Sequence, residues 1–204
     1  MPITINGNGT ITGLSSGGLP AGSVTSATLA TGTVTGALPT GAVVQTVHAS
    51  TPDAVYYSSS NSWTDYLSAT ITPTSSSNKI LIYHVVTYGG DDNSYAAGRI
   101  YRSGSGTTNT HVRTPTNYQW TENRFTDSTF CMFMNANAND QYKMYTNTII
   151  VEDTPASNAA VTYTCAAKAD AANRTVWINR STTYPSNGFN PRPVTTITLM
   201  EIKA

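Results

Sequence analysis

The sequence predicts an all-β protein in two parts: a Gly/Thr-rich N-terminal arm over residues 1–42, then a jelly-roll β-sandwich over residues 43–204. Three observations lead there. No stretch of about a dozen residues keeps a helical apolar period with good helix formers. Thr, Val, Ile and Tyr, the last with 12 residues, suit a pleated, half-buried surface. Short apolar segments alternate with Gly/Ser/Asn turns to give about eight or nine strands, the number for an eight-stranded double-sheet jelly roll.

The arm comes first. It is rich in Gly, Thr, Ser and Ala with scattered Val, Leu and Ile, and it holds no Lys, Arg, Asp, Glu, Trp, Tyr or Phe. A degenerate repeat runs through it: Leu19-Pro20-Ala21-Gly22-Ser23-Val24, then Leu29-Ala30-Thr31-Gly32-Thr33-Val34, then Leu38-Pro39-Thr40-Gly41-Ala42-Val43. So little apolar surface cannot enclose a core. A flexible linker has no need of recurrent Leu and Val anchors, so an intertwined stalk or docking arm is expected.

Strands are expected at Val43–His48 and at Trp63–Thr72, the latter with Asp65, Leu67, Ala69 and Ile71 on one face. Pro73–Asn78 is a turn. Lys79–Tyr88 contains Ile80-Leu81-Ile82-Tyr83-His84-Val85-Val86, apolar on both faces. That marks a central strand covered on both sides, with a subunit interface as one cover. Further strands follow at Tyr95–Arg102, Ser128–Met134, Gln141–Val151, Val161–Ala167, Thr175–Asn179 and Thr195–Ile202. In the last, Ile197 and Leu199 point one way and Met200 and Ile202 the other. Ile80, Ile82, Tyr83, Val85, Met200 and Ile202 are the candidate trimer-interface residues.

Composition narrows function. Charged residues make up 11% and net charge is zero. A nucleic-acid binder carries a basic stripe, and a surface-bound membrane protein a polybasic patch, so neither partner is expected. No apolar run approaches the length of a membrane span, and Met1-Pro2-Ile3-Thr4 does not open an export signal. Near neutrality suits dense assembly, because self-repulsion is small. Cys131 and Cys165 sit in strand-like runs without metal-knuckle spacing and read as two buried thiols, a disulfide being the alternative.

Catalytic signals are weak. His48, His84 and His111 share no ligand spacing, and His84 inside an apolar strand reads as a hydrogen-bonded core histidine. Gly13-Leu14-Ser15-Ser16-Gly17 has the letters of a nucleophile elbow but lacks the strand before and helix after it. Asp91-Asp92 and Glu152-Asp153 are adjacent pairs, whereas glycoside hydrolysis needs two carboxylates on opposite sides of one bond. Asp91, Asp92, Asp127 and Glu152 are the residues a polysaccharide depolymerase would have to use. No metal and no cofactor are expected, and the chain reads as a non-enzyme.

Recognition signals are better. The polar stretch Ser103–Arg124 carries Arg113, Tyr118, Trp120 and Arg124 among Thr and Asn. Aromatics and Arg are effective anchors, and small polar residues adapt around them. The Pro-stiffened loop Tyr184–Pro193 offers Phe189 as a further anchor. A host surface glycan fits such aromatic, amide-rimmed segments.

Ile3-Thr4-Ile5-Asn6-Gly7-Asn8-Gly9-Thr10-Ile11-Thr12-Gly13-Leu14 resembles the opening of fibre-like virion proteins of marine and freshwater bacteriophages, cyanophages among them. The Leu-Pro-x-Gly-x-Val repeat is similar to the segment that leads into their β domain. Leu67-Ser68-Ala69-Thr70-Ile71-Thr72-Pro73, followed by Asn78-Lys79-Ile80-Leu81, resembles the start of a trimeric tumour-necrosis-factor/C1q-like jelly roll. The resemblance implies a homotrimer in the virion, assembled in the host cytoplasm. Its arm would dock other virion proteins of the tail or capsid through Leu14, Leu19, Val24, Leu29, Val34 and Leu38. The jelly roll would face outward as a fibre subunit for host attachment. A capsid decoration protein is the alternative and a depolymerase the distant one.

Overall fold

The computed structural model describes residues 4–5, 11–12, 38–52, 55–58, 62–90, 95–104, 107–112, 128–133, 143–169, 174–181 and 192–204. Residues 1–39 and 40–204 form two separate units. In the first, β1 (Thr4–Ile5) and β2 (Ile11–Thr12) pair antiparallel with Ile5 opposite Ile11. Of the expected arm anchors only Leu38, half-buried, lies within the described residues.

The second unit is a β-sandwich, and no helix occurs among its described residues. Its strands are β3 (Val43–Thr51), β4 (Val55–Ser58), β5 (Thr64–Ile71), β6 (Lys79–Gly90), β7 (Tyr95–Gly104), β8 (Thr107–His111), β9 (Phe130–Phe133), β10 (Tyr145–Asp153), β11 (Val161–Ala169), β12 (Thr175–Ile178) and β13 (Thr195–Ile202). Sheet I runs β3-β13-β6-β10, with β12 and then β4 continuing beside β6 beyond the end of β13. Sheet II runs β5-β11-β7, with β8 and β9 sharing the far side of β7. Every pairing is antiparallel. The pairs nest: β3 with β13, β5 with β11, β6 with β10, and β7 with β8 and β9. That nesting makes the sandwich jelly-roll-like.

Alternation decides what each strand buries. From β6, Ile80, Ile82, His84 and Val86 point inward and are wholly buried. Ile197 and Leu199 of β13 meet them from the next strand, and Ile71, Ile100, Met132 and Tyr163 from sheet II. Each such aliphatic side chain contributes about 1.5–3 kcal/mol by leaving water. Gly98 is needed where it stands, since a Cβ there would run into the Phe130 ring.

Polar ties cross between the sheets. The Tyr66 hydroxyl of β5 donates to His84 Nε2 at 2.8 Å, and His84 Nδ1–H donates to the Thr196 carbonyl at 2.8 Å. Arg102 of β7 pairs with Asp153 of β10 at 2.6 Å, and the Tyr163 hydroxyl donates to the same carboxylate at 2.8 Å. Glu201, wholly buried, accepts from Gln45 Nε2, Asn78 Nδ2, and both the backbone N–H and hydroxyl of Thr74. This carboxylate binds β13 to β3 and to the turn before β6. Beside it, Gly41 N–H donates to Lys203 O and Lys203 N–H to Ala42 O, so the domain's two ends are zipped together.

Four expectations need correcting. Ile80 and Ile82 do not belong to an outer interface; their register turns them into the domain's own core. Asp65 does not share the inward face of Leu67, Ala69 and Ile71. A β-bulge leaves Tyr66 as an extra residue, with Leu67 opposite Cys165 and Asp65 opposite Ala166. That single insertion turns Tyr66 inward and Asp65 outward. Cys131 is exposed, because Met132 takes the inward position of β9; Cys165 is buried, and both thiols are reduced. Finally, β4 and β8 were not expected as strands. Val55–Ser58 and Thr107–His111 owe their extended form to β12 and β7 beside them.

Candidate functional site

Two outward faces of the sandwich carry side chains that the fold itself does not require. The first is the outer face of sheet I. Register brings His48, Thr198, Tyr83 and Ile150 into one row across β3, β13, β6 and β10. The adjacent row holds Thr46, Met200, Leu81 and Glu152, and the row on the other side holds Ser50, Thr196, Val85 and Thr148. Ile202 lies opposite Val43 at the end. Tyr83, Val85, Met200 and Ile202, four of the expected interface residues, share this face. Ile150 is 56% exposed, Val43 50% and Tyr83 37%. Thr, Ser and His fill most of the remainder, and Glu152 pairs with Lys79 at the rim, 2.8 Å apart and half exposed. Strands lie about 4.8 Å apart and rise about 3.4 Å per residue, so four strands over some seven residues span roughly 450 Å². Tyr83, Ile150, Leu81, Met200, Val85, Ile202 and Val43 make roughly half of that face apolar.

The second is the outer face of sheet II. The bulge at Tyr66 turns Asp65 outward, and Trp63 meets the side chains of this face just before β5 begins. Arg99 sits opposite Ala166, which in turn sits opposite Asp65. Ala166 has no bulk to fill the middle of that row, so longer neighbours converge above it. The Arg99 guanidinium lies 4.6 Å from the Trp63 ring centre and 4.9 Å from that of Tyr101. Lys168 Nζ is 5.8 Å from the Trp63 ring. The Tyr101 hydroxyl donates to Asp65 at 2.6 Å. Burial, then the Asp65 carboxylate, push the Tyr101 hydroxyl above its ordinary pKa, so it stays a donor. Ala166 and Ala97, though on the outer face, are completely covered.

The expected recognition segment is anchored next to this face. Val112 N–H donates to Ile100 O, Thr129 N–H to Gly98 O, and the Thr129 hydroxyl to Val112 O. Val112 and Thr129 are therefore held at neighbouring points on β7. Arg113, Tyr118, Trp120, Arg124 and Phe189 lie outside the described residues, as do Leu14, Leu19, Val24, Leu29 and Val34 of the arm and Asp91, Asp92 and Asp127. Glu152, the remaining carboxylate considered for sugar cleavage, is held by Lys79.

The buried ionisable groups act as structure. Desolvation lowers the His84 pKa to about 4, only partly countered by its bond to the Thr196 carbonyl, so the ring is neutral. Burial raises Tyr163 and Cys165 well above their ordinary values. Burial alone would raise Glu201 too, but bonds from Asn78, Gln45 and Thr74 outweigh it and hold the carboxyl below its ordinary range. Among the described residues no three His, Cys, Asp or Glu side chains gather as a metal site.

Trp63, Lys168 and the pairing of Arg99 with Tyr101 were missed by sequence reasoning. Arg99-x-Tyr101 within an expected strand was the available signal, since residues two apart share a face. No known family model matches the chain, and no curated protein matches it either.

Proposed function

We propose that the chain is a non-catalytic structural subunit of a bacteriophage virion. In this reading it works as a homotrimer: the arm docks other virion proteins and the sandwich is displayed for host attachment. The observation that carries it is the outer face of sheet I. Leu81, Tyr83, Val85, Ile150, Met200 and Ile202 meet there with a single ion pair at the rim. Further copies of the same chain are its natural cover, because three near-neutral faces can converge on a threefold axis without charge conflict. The resemblance of the arm to phage fibre proteins supplies the virion setting.

Decoration of the capsid is the second reading, favoured by the 11% charge content. It keeps the same trimer and assigns the particle contact to the arm.

Sedimentation equilibrium of the full chain tests the assembly, with a trimer expected at micromolar concentration. Ile150→Asp, at a 56% exposed position, should shift it to monomer without unfolding it. A wild-type monomer would refute the reading. Immunogold labelling of particles then separates the two placements: tail label supports attachment, and head label supports decoration.

A further inference from the structure

We propose that copies of the chain join edge to edge, β10 of one pairing antiparallel with β3 of the next, so that sheet I runs without interruption around the trimer. This rests on the trimer reading above and names the contact that builds it.

Sheet I ends on β3 at one side and on β10 at the other. Among the described residues each of the two has a strand partner on one side only. Each is nine residues long, so its far side presents a row of backbone N–H and C=O groups roughly 30 Å in length. Such a row is a template for another strand, and proteins that stay apart guard it with Lys, Pro, bulges or short strands. Sheet II is guarded in this way. Its edge strand β5 carries the bulge at Tyr66. On the opposite side β8 and β9 have five and four residues, and the β7–β8 ladder slips between Arg102 and Gly104. Sheet I is open. Neither β3 nor β10 holds Lys, Arg or Pro. β10 follows β6 without a shift over its whole length, and the one irregularity of β3, at Val44, lies at its start. The acids that end β10, Glu152 and Asp153, are matched by Lys79 and Arg102 of the same chain. Ile150 and Val43, the most exposed large apolar side chains among the described residues, lie one on each of these strands.

Strand direction selects the partner. Three antiparallel steps lead from β3 through β13 and β6 to β10, so β3 and β10 run in opposite directions. A second copy turned about an axis parallel to the strands keeps its directions. Its β3 then meets β10 antiparallel, the sense of every other pairing in the sheet. Head-to-tail contacts of this kind can close into a ring. In a ring of three no edge of sheet I is left over. With the outer face of sheet I turned to the axis, Tyr83, Ile150 and Met200 of all copies point towards it.

The test uses the full chain carrying Cys131→Ser, which removes the exposed native thiol. Thr148→Cys on β10 is mixed in turn with Thr46→Cys, His48→Cys and Ser50→Cys on β3, which sample different staggers of one ladder, and each mixture is oxidised. A disulfide needs Cα atoms within about 7 Å. Within one copy three strand spacings of about 4.8 Å separate β10 from β3, so only a contact between copies can form the bond. A covalent dimer is expected in at least one mixture and from no variant alone. The reactive pair placed in a single chain should give a covalent trimer. Hydrogen exchange adds a readout independent of stagger. Every second amide of residues 46–50 and 146–150 should exchange fast in the monomeric Ile150→Asp variant and slowly in the trimer. A trimer with no mixed disulfide, a trimer whose edge amides exchange as fast as the monomer's, or a disulfide between two copies bearing the same substitution would overturn the proposal. Sedimentation of the same samples separates this from the assembly reading. A trimer lacking these signals overturns the edge pairing alone, whereas a monomer removes the trimer and the pairing with it.

Discussion

Acidification should unfold this domain through His84, and the size of the effect follows from its surroundings. The imidazole is wholly buried between Tyr66, Phe130 and the Thr196 carbonyl, with Ile149 and Ile197 on the neighbouring strands. Its pKa is 6.5 when exposed and about 4 when folded. The folded state therefore favours the neutral ring. Its contribution is fully present above pH 6.5 and is lost as pH falls from there towards 4. The gap from 6.5 to about 4, at about 1.4 kcal/mol per pH unit, comes to roughly 3 kcal/mol. Most of it should be gone by about pH 4.5. The assay is urea unfolding at fixed protein concentration between pH 7.5 and 4.5, comparing wild type with His84→Gln. Glutamine is polar but does not titrate and cannot replace both ring nitrogens, so the variant should be less stable near neutrality and much less sensitive to acid. Carboxylates act equally on both proteins and cancel in the difference. Parallel pH profiles for the two would refute the reasoning.

The other stability predictions concern single contacts. Glu201→Gln removes the charge from a carboxylate with four donors and should cost about 2 kcal/mol in urea unfolding at neutral pH. Because the Glu201 pKa is lowered on folding, its contribution in wild type is present above about pH 4.5 and fades below it, so the two proteins should converge in acid. Gly98→Ala forces the Phe130 ring aside and should destabilise by about 1–3 kcal/mol, with loss of near-ultraviolet dichroism around the phenylalanine and tyrosine bands. An unchanged midpoint would mean that the ring has another place to go.

The strands that could be read from sequence are those whose side chains alternate strongly. β11 and β13 were found because apolar residues there recur at period two, and β6 because it is a continuous apolar run, with turn residues bounding each. β4 and β8 were not, because Val55–Ser58 is short and Thr107–His111 has no apolar alternation; pairing alone makes them strands. The direction of β6 was equally out of reach. Ile80 and Ile82 look no more inward than Leu81 and Tyr83 when a strand is apolar on both sides, and only the neighbours in the sheet decide which row meets the other layer. The same limit hid the Trp63–Arg99–Tyr101 stack. Its members are 36 and 38 positions apart, and a one-residue bulge sets which way Trp63 faces. His84 was legible, since a lone histidine in an apolar run has little else to do.

The zipped ends of the domain have a mechanical consequence. Tension entering through residues 40–42 passes straight into β3, whose ladder with β13 runs from Val43 to Thr51. Load along the strand axis is then shared in shear by the whole row of hydrogen bonds, instead of opening them one after another. Gln45 and Glu201 clamp the point of entry.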